Sequence, residues 1–364
     1  MNILFVHSIG RNKYGGGEKW VIAAAGGLMD RGHRVIVGGR SGSKLLKAAL
    51  ERGLEIVEFD ILSDISLWQV YRVAAFLRKV KIDVIITKGR ELFVAGLAAR
   101  YGGKPLVLVR HGSPLRSSFR KHSFLHRRLA DGIITNTKTI KDFFEERRLV
   151  RKGFARVIYN GLITDSDSLP YDFSARFPGR KIVLSAGRLD VAKGYLYLID
   201  AITMLKDSRD DLMFVVLGEG KHLDRFVSCA SKKGVSDLIS FEGYADNVVP
   251  YLKGCDMFIL PSLYEGMPNA VMEAMAYGKA VIMTRVNGAE ELIPDTGKGI
   301  LIPPADADAI AGSVNRLAES EEMREKMGGE AARFIKENFS VSGMIDNIES
   351  YIEEKLEEKS AVNR

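Results

Sequence analysis

The chain has 364 residues, 46% of them hydrophobic and 27% charged, with 10 prolines, an ordinary globular composition that excludes a disordered tail protein or a fibrous repeat. At roughly 100–200 residues per domain, that length predicts two domains. Residues 1–165 hold 30 Lys and Arg against 14 Asp and Glu (+16), whereas residues 166–364 hold 23 against 32 (−9), so one half is expected to face an anionic partner. Cys229 and Cys255 are the only cysteines and lie too far apart in sequence for a disulfide framework or a cysteine-rich zinc site; both are expected to be core thiols. No apolar run reaches membrane-spanning length, and the opening MNILFVHSIG reads as a strand without the basic lead-in of an export signal. The expected location is the cytoplasm.

In chain order, the first half alternates the β-branched runs NILFVH, HRVIVGG, LEIVEF, IDVIIT, PLVLVR, DGIITN and ARVIY with amphipathic stretches. The spacing of Leu67, Val70, Val73, Leu77 and Val80 typifies these stretches, and the pattern predicts buried parallel strands covered by helices. The Gly-, Pro-, Ser- and Asp-rich stretch from Asn160 to Arg180 reads as a linker. The alternation then restarts with KIVLSAG, LMFVVLG, LISFEG, MFILPS, AVIMT and GILIP. The fold class is therefore α/β, with two Rossmann-like parallel-sheet domains, 1–165 and 166–340, facing across a cleft. Residues 341–364 form a last helix whose stripe of Met344, Ile345, Ile348, Tyr351, Ile352 and Leu356 must dock on something already built. Ligands of such sheets bind beyond the carboxyl ends of the strands, which puts the site in the cleft.

Several loops at those ends carry chemistry. In SIGRNKYGGGEKW, Gly15, Gly16 and Gly17 resemble a phosphate-cradling turn ahead of a helix starting near Glu18, yet match neither GxGxxG nor GxxxxGK[ST]. Arg40 ends the second strand, where an NAD site shows an acidic residue, so a dehydrogenase is disfavoured. His7 ends the first strand, and His111 follows the fifth in LVLVRHGSPLR; each also fits a plain core or surface histidine. LRSSFRKHSFLHRRL sets Arg116, Arg120, Lys121, Arg127 and Arg128 among Phe119, Phe124 and Leu125, a basic amphipathic stretch that fits either an anionic lipid surface or packing on its own sheet.

In the second half, GRLDVAKG places Arg188 and Lys193 in a strand-to-helix loop bracketed by Gly187 and Gly194, two cations suited to a diphosphate. In FILPSLYEGMPNAVMEAMAYGKAV, a helix is expected to begin at Pro268. Its N-terminus, with the Gly266 turn ahead of it, would seat an anion. Glu265 precedes that turn; Glu273 leans back toward it on the face of Asn269, placed to accept ribose hydroxyls. A structural ion pair for Glu273 and a solvated loop for Glu265 stay open. Asp165 with Asp167, and Asp306 with Asp308, read as caps rather than metal ligands.

Taken in this order, these windows resemble the retaining nucleotide-sugar glycosyltransferases of family 4, which have the two-Rossmann-domain architecture called GT-B. The most specific element is the E-x7-E of Glu265 and Glu273 in EGMPNAVMEAMAYGKAV, preceded by GRLDVAKG and followed by VNGAEELI. The resemblance implies that Arg188 and Lys193 bind the donor diphosphate, that Glu273 holds the ribose hydroxyls and that Glu265 contacts the transferred sugar. It adds the backbone from Gly266 through Met267, Pro268, Asn269 and Ala270 to the donor site, with Gly187. It further implies His111 near the reacting centre and the turn at Gly16 and Gly17 near the donor phosphates and acceptor. It makes the first domain the acceptor side, returns the final helix to that domain, and requires no metal or other cofactor. Asn287 and Glu290 depart from the family's usual VGGxPELI, while Gly288 and Glu291 match it; the departure touches the loop beside the sugar.

The reading is thus transfer of a hexosyl-type group, with retention, from a nucleoside diphosphate sugar to a hydroxyl of a saccharide or lipid-linked, phosphorylated acceptor in envelope glycan synthesis, on the inner membrane face. The alternatives are a sugar-nucleotide epimerase of the same architecture and a basic nucleic-acid-binding protein. The basic half lacks the interleaved stacking aromatics of a single-strand groove, so no nucleic-acid partner is expected.

Overall fold

A computed structural model describes residues 1–8, 10–12, 14–63, 65–113, 119–164 and 167–362. The chain divides into two compact units, Met1–Gly161 with Ser340–Arg364, and Leu162–Phe339.

The first unit is a parallel sheet of β1 (Asn2–His7), β2 (Arg34–Gly39), β3 (Glu55–Glu58), β4 (Val84–Lys88), β5 (Leu106–His111), β6 (Gly132–Thr135) and β7 (Ala155–Val157), in the order β3-β2-β1-β4-β5-β6-β7. Between the strands run α1 (Gly16–Asp30), α2 (Lys44–Glu51), α3 (Leu67–Val80), α4 (Leu92–Tyr101), α5 (Phe119–Leu129) and α6 (Lys138–Glu146). The β-branched runs of the central strands are buried because a parallel strand covered on both faces has no solvent side to keep polar, whereas the edge strand β3 stays half-buried to exposed along its length. Local chemistry marks the helix starts: Ser43, Ser66 and Thr137 each accept from the backbone amide three residues on, capping α2, α3 and α6.

The second unit repeats the plan with β8 (Lys181–Ala186), β9 (Leu212–Leu217), β10 (Ile239–Gly243), β11 (Met257–Leu260), β12 (Ala280–Thr284) and β13 (Ile300–Ile302), ordered β10-β9-β8-β11-β12-β13. Its helices are α7 (Tyr195–Leu205), α8 (Leu223–Lys232), α9 (Val249–Gly254), α10 (Asn269–Ala276), α11 (Ala289–Leu292), α12 (Ala307–Glu319) and α13 (Glu321–Asn338). Asp306 caps α12 by accepting from the Ala309 amide at 2.9 Å. The stretch read as a linker is partly built into this unit. Tyr171 stacks on Tyr251 with ring centroids 4.6 Å apart, and its amide donates to Pro250 at 2.9 Å. Cys255 is buried, which pushes its thiol up to about 12, whereas Cys229 is only half-buried.

The last helix, α14 (Val341–Val362), packs on the first unit. Met344, Ile345, Ile348, Tyr351 and Ile352 join the core formed by α1, β1, β2, β4 and β5. The Tyr351 hydroxyl donates to the Phe154 carbonyl at 2.8 Å and accepts from the Ile133 amide at 3.2 Å. Around this stripe the acidic flank of the helix meets the basic unit: Arg31 pairs with Asp346 and Glu349, and Arg156 with Glu354, while Lys359 of the helix pairs in the opposite sense with Asp131. Replacing the fully buried Ile348 with Ala is expected to cost the first unit about 2–5 kcal/mol. Hydrogen exchange should then show lost protection in α1 and β2 and unchanged protection in β8 and β9.

Candidate functional site

In the second unit the strand order reverses between β8 and β11, which lie side by side. The crevice at such a switch point is where open α/β sheets take their ligands. The loop after β8 carries Gly187, Arg188 and Lys193; the loop after β11 carries Glu265, Gly266, Met267 and Pro268. Backbone contact locks the two loops together. The Leu263 amide donates to the Ala192 carbonyl at 2.8 Å. Gly194 has a left-handed φ of 70°, and a Cβ there would collide with the Pro261 carbonyl oxygen, so only glycine permits this approach.

The result is a half-buried ion pair: Lys193 donates to Glu265 Oε1, which also accepts from the Ser262 hydroxyl at 2.8 Å. Arg188, five residues before Lys193, is exposed, and its guanidinium makes no hydrogen bond or ion pair among the described residues. Gly187 packs under Lys193, since a Cβ there would stand 3.3 Å from Lys193 Cε.

Pro268 is the N-cap of α10 (ψ 107°) rather than its first helical residue. The ring fixes φ but the extended ψ holds the residue outside the helix, so α10 starts one residue later than the proline signal suggests. Met267 and Pro268 are buried, while Asn269 and Ala270 open the helix half-exposed at the same end of the sheet. Glu273 stands one turn along from Asn269, half-buried between Met272 and Ala274. The positive end of α10, Lys193 and Arg188 thus rise from adjacent strands. Gly288, with φ 77°, caps the short α11, and Glu290 pairs with Arg285 at 2.5 Å on the surface.

The first unit's order reverses between β1 and β4, and a buried charged cluster sits at their ends. α1 begins at Gly16, two residues earlier than expected, because the Glu18 carboxylate reaches back over the first turn and accepts from the Gly15 amide at 2.8 Å. The first turn, at Gly16 and Gly17, therefore already holds an anion of its own. His7 Nε2 donates to Glu18 Oε1, and Lys88 Nζ lies 3.3 Å from the same oxygen. Lys88 occupies the space a side chain at Gly17 would need. Burial alone would raise the Glu18 carboxyl, but the His7 hydrogen bond and the Lys88 ammonium outweigh it and hold it at about 2. Glu91, enclosed nearby with one oxygen unpartnered among the described residues, is pushed up to about 7 by burial. Arg110 is fully enclosed, lowered to about 10 by burial, stacked 4.3 Å over Trp20 and bonded to Asn160 at 2.8 Å. Of this cluster, the sequence points to His7 and the glycines alone. The strands' shared carboxyl edge was the only available signal for Lys88, Glu91 and Arg110.

His111 is buried against the Phe144 ring, centroids 4.7 Å apart, and its Nε2 lies 2.8 Å from His126 Nε2. Burial lowers both imidazoles, His126 to about 4, so both are neutral at pH 7. His126 Nδ1 stands 2.5 Å from the His122 carbonyl, a bond only an N–H can make. His126 Nε2 is then the bare acceptor, His111 Nε2 carries the proton, and His111 Nδ1 keeps the lone pair.

Around His126, α5 presents Arg120, Lys121, Phe124 and Arg128 to solvent, and His126 is its one buried residue among those described. Arg127 is instead a structural tie, donating to the Leu149 carbonyl at 3.2 Å and to the Arg148 carbonyl. Its fork reaches backbone left open at the end of α6, which a sequence pattern of charges does not display. Arg116 lies outside the described residues. A groove of about 590 Å³ beside α5 adds Arg147 and Arg148 to this basic surface. Among the described residues no group of three or more His, Cys, Asp or Glu is arranged to hold a metal ion.

Two outcomes are expected. Because Glu91 ionises near 7 in the fold against its ordinary 4.5, the unfolded chain binds fewer protons between those values and stability falls as pH rises through them. Glu91→Gln should therefore add about 2–3 kcal/mol above pH 7 and little below pH 4.5, read by denaturant melts. In ¹⁵N spectra, His111 Nδ1 should show the unprotonated imidazole shift and Nε2 the protonated one; the reverse assignment would break the proton chain through His126.

Residues 14–166 match the family described as Glycosyltransferase Family 4, and residues 171–334 match Glycosyl transferases group 1. The lipopolysaccharide core biosynthesis glycosyltransferase LpsE of Rhizobium meliloti is 25% identical over 341 residues, 92% of this chain and 94% of its own. The UDP-Gal:alpha-D-GlcNAc-diphosphoundecaprenol alpha-1,3-galactosyltransferase of Escherichia coli is 25% identical over 317 residues, 82% of this chain and 80% of its own. The structure of Anabaena Alr3699/HepE in complex with UDP-glucose matches with a TM-score of 0.84 at 22% identity, over 97% of this chain and 100% of that one. Two parallel-sheet units of the GT-B kind, each matched by its own part of the family, make this chain a family 4-type glycosyltransferase.

Proposed function

We propose that the chain transfers a hexosyl group from a uridine diphosphate sugar to a hydroxyl of a lipid-linked saccharide in envelope glycan synthesis, with retention and without a metal. The observation that carries this reading is the meeting of Lys193, Glu265 and the start of α10 at the switch point of the second unit. The uridine choice leans on the UDP-glucose complex of HepE and on the UDP-Gal donor of the Escherichia coli relative. That relative's diphosphoundecaprenol acceptor, with the basic first unit, supports a phosphorylated lipid-linked acceptor.

The difficult step is departure of a diphosphate. As the glycosidic C–O bond breaks, its electron pair moves onto the β-phosphate, where Lys193, Arg188 and the α10 dipole meet the growing charge. Each such contact is typically worth about 10²–10³ in rate. The two cations supply charge that a divalent ion brings to other nucleotide sites. Glu265 is a poor nucleophile, since one oxygen already accepts from both Lys193 and Ser262. Retention then calls for attack on the face the diphosphate leaves, the acceptor hydroxyl forming the new C–O bond and giving its proton to a phosphate oxygen. Glu273 grips the ribose.

The test is a thermal-shift panel of UDP, GDP, ADP and CMP, each with and without a chelator. UDP should raise the melting temperature and the chelator should leave that rise intact, because a ligand bound only by the folded form stabilises it. Lys193→Met should lower kcat about 10²–10³-fold, while Glu273→Gln should chiefly raise the donor KM. A chelator-sensitive shift, or a glycosyl adduct trapped on Glu265, would refute the mechanism.

A further inference from the structure

Three cations of the first unit occupy backbone conformations that glycine favours. Among the described residues the non-glycine positions of left-handed φ are Lys81 (53°), Lys104 (58°), Arg148 (53°) and Ala305 (60°). Such positions close helices and are ordinarily glycine, because a Cβ is strained there. Lys104 and Arg148 come after α4 and α6, and the helix dipoles do not account for them. Arg100 already stands in the last turn of α4, and Arg147 follows α6 directly. A strained cation kept at each of two helix ends calls for another explanation.

Both side chains line one cavity of about 940 Å³ that lies wholly within the first unit. Its wall is built from residues entering three neighbouring strands, Lys104 ahead of β5, Asp131 ahead of β6 and Phe154 ahead of β7, and α14 closes it with Lys355, Glu358 and Lys359. The cavity is therefore at the amino edge of the sheet, opposite the edge where His7, Lys88 and His111 end their strands. Open α/β sheets take their substrates at that other edge.

The lining holds seven Lys and Arg against three carboxylates, and each carboxylate is already committed. Asp131 accepts from Lys359 and from the Val107 amide, both at 2.8 Å. Glu145 accepts from Lys141 at 2.8 Å and from the Gly153 amide at 3.0 Å, and Glu358 from Lys355 at 2.6 Å and Arg151 at 3.0 Å. Lys104, Arg148 and Lys152 are left exposed, and their side chains make no hydrogen bond or ion pair among the described residues. Cations around a concave wall without counter-charge concentrate anions there. Behind them Val150 and Phe154 form a buried apolar floor. The frame is fixed, since Arg127 holds the Arg148 and Leu149 carbonyls and Glu145 holds the Gly153 amide. The volume falls in the range of roughly 300–1,000 Å³ typical of small-molecule sites, more than a bare phosphate fills.

We propose that this cavity binds a soluble phosphorylated metabolite as an effector, its phosphates on Lys104, Arg148 and Lys152 and its organic body over Phe154 and Val150. A guanidinium fork beside two ammonium point charges suits phosphate esters. A ligand there bridges the strand entries and the last turns of α14, and so tightens the helix that completes the unit's core. The inference goes beyond the donor reading and does not depend on it.

The probe is inorganic tripolyphosphate, added to the full-length protein with excess UDP and compared with sodium sulfate at equal ionic strength. Hydrogen exchange should slow at 148–154 and in the last turns of α14, and the melting temperature should rise further than with sulfate. Lys104→Gly and Arg148→Gly each remove a cation and relieve the backbone at once. Each ligand-free variant should therefore melt no lower than the parent, while its affinity for tripolyphosphate falls roughly tenfold. Equal effects of sulfate, protection confined to the loops after β8 and β11, or protection given by phosphatidylglycerol vesicles and not by tripolyphosphate would each overturn the proposal. So would a glycine variant that melts lower without ligand, since its side chain would then serve the fold. Exchange is read segment by segment, so a failure at α14 defeats this inference alone, and a missing UDP effect in the second unit defeats the donor reading alone.

Discussion

The first unit's core cannot close until the last helix arrives. Met344, Ile348, Tyr351 and Ile352 fill the face of the sheet left open by α1, and the Tyr351 hydroxyl reinforces the junction where the Ile133 amide meets the Phe154 carbonyl. The second unit is therefore an insertion whose two ends must run side by side. The Leu162 amide donates to the Phe339 carbonyl at 2.9 Å, and Gly161 lies so close to the Val341 backbone that a Cβ would stand 2.6 Å from its Cα. Completion of the first unit waits on synthesis of the second. Acidic charge of α14 is spent on the basic unit it completes, through Arg31, Arg151 and Arg156.

Both units use the same strand order through six strands, and in both the charged groups gather where that order reverses. The chemistry of the two crevices is opposite in character. In the second unit, Arg188 is exposed and Lys193 with Glu265 half-buried, open to an incoming ligand. In the first, His7, Glu18 and Glu91 are buried, with Lys88 half-buried beside them, and His7 and Lys88 both pair with Glu18. A buried set of this kind is costly to assemble and rigid once assembled, which suits a cluster that fixes the ends of β1 and β4 rather than one that binds and releases.

The central strands were legible in the sequence because a strand buried on both faces is a continuous apolar run, as in KIVLSAG and LMFVVLG, and the partly exposed β3 was legible from the Ile56 and Val57 pair alone. The E-x7-E and GRLDVAKG windows were legible because each lies on one loop. What escaped were pairings between distant segments. Lys88 and Glu18 are 70 residues apart, and nothing local in IDVIITKGR says that its lysine meets the first helix. His126 is a similar case: it reads as one basic residue in HRR, yet it sets the proton on His111 fifteen residues away. Tyr171 and Phe173 sat in a stretch whose glycines and prolines spoke for a linker, but their aromatic rings found Tyr251.

The Lys193–Glu265 pair has a consequence for turnover on the proposed reading. Alone, two cations at a helix start would grip a diphosphate tightly and release the nucleotide product slowly, and tight binding of product adds nothing to catalysis. With Glu265 holding Lys193, the side-chain charge of the seat falls to about that of one cation, supplied by Arg188, plus the α10 dipole. Lys193 is still in place when negative charge develops, so no side chain has to be reordered at the moment of bond breaking. The carboxylate thus positions the ammonium and weakens the ground-state grip at once. The left-handed Gly194 that lets Lys193 reach Glu265 is as much a part of the donor seat as the charges themselves.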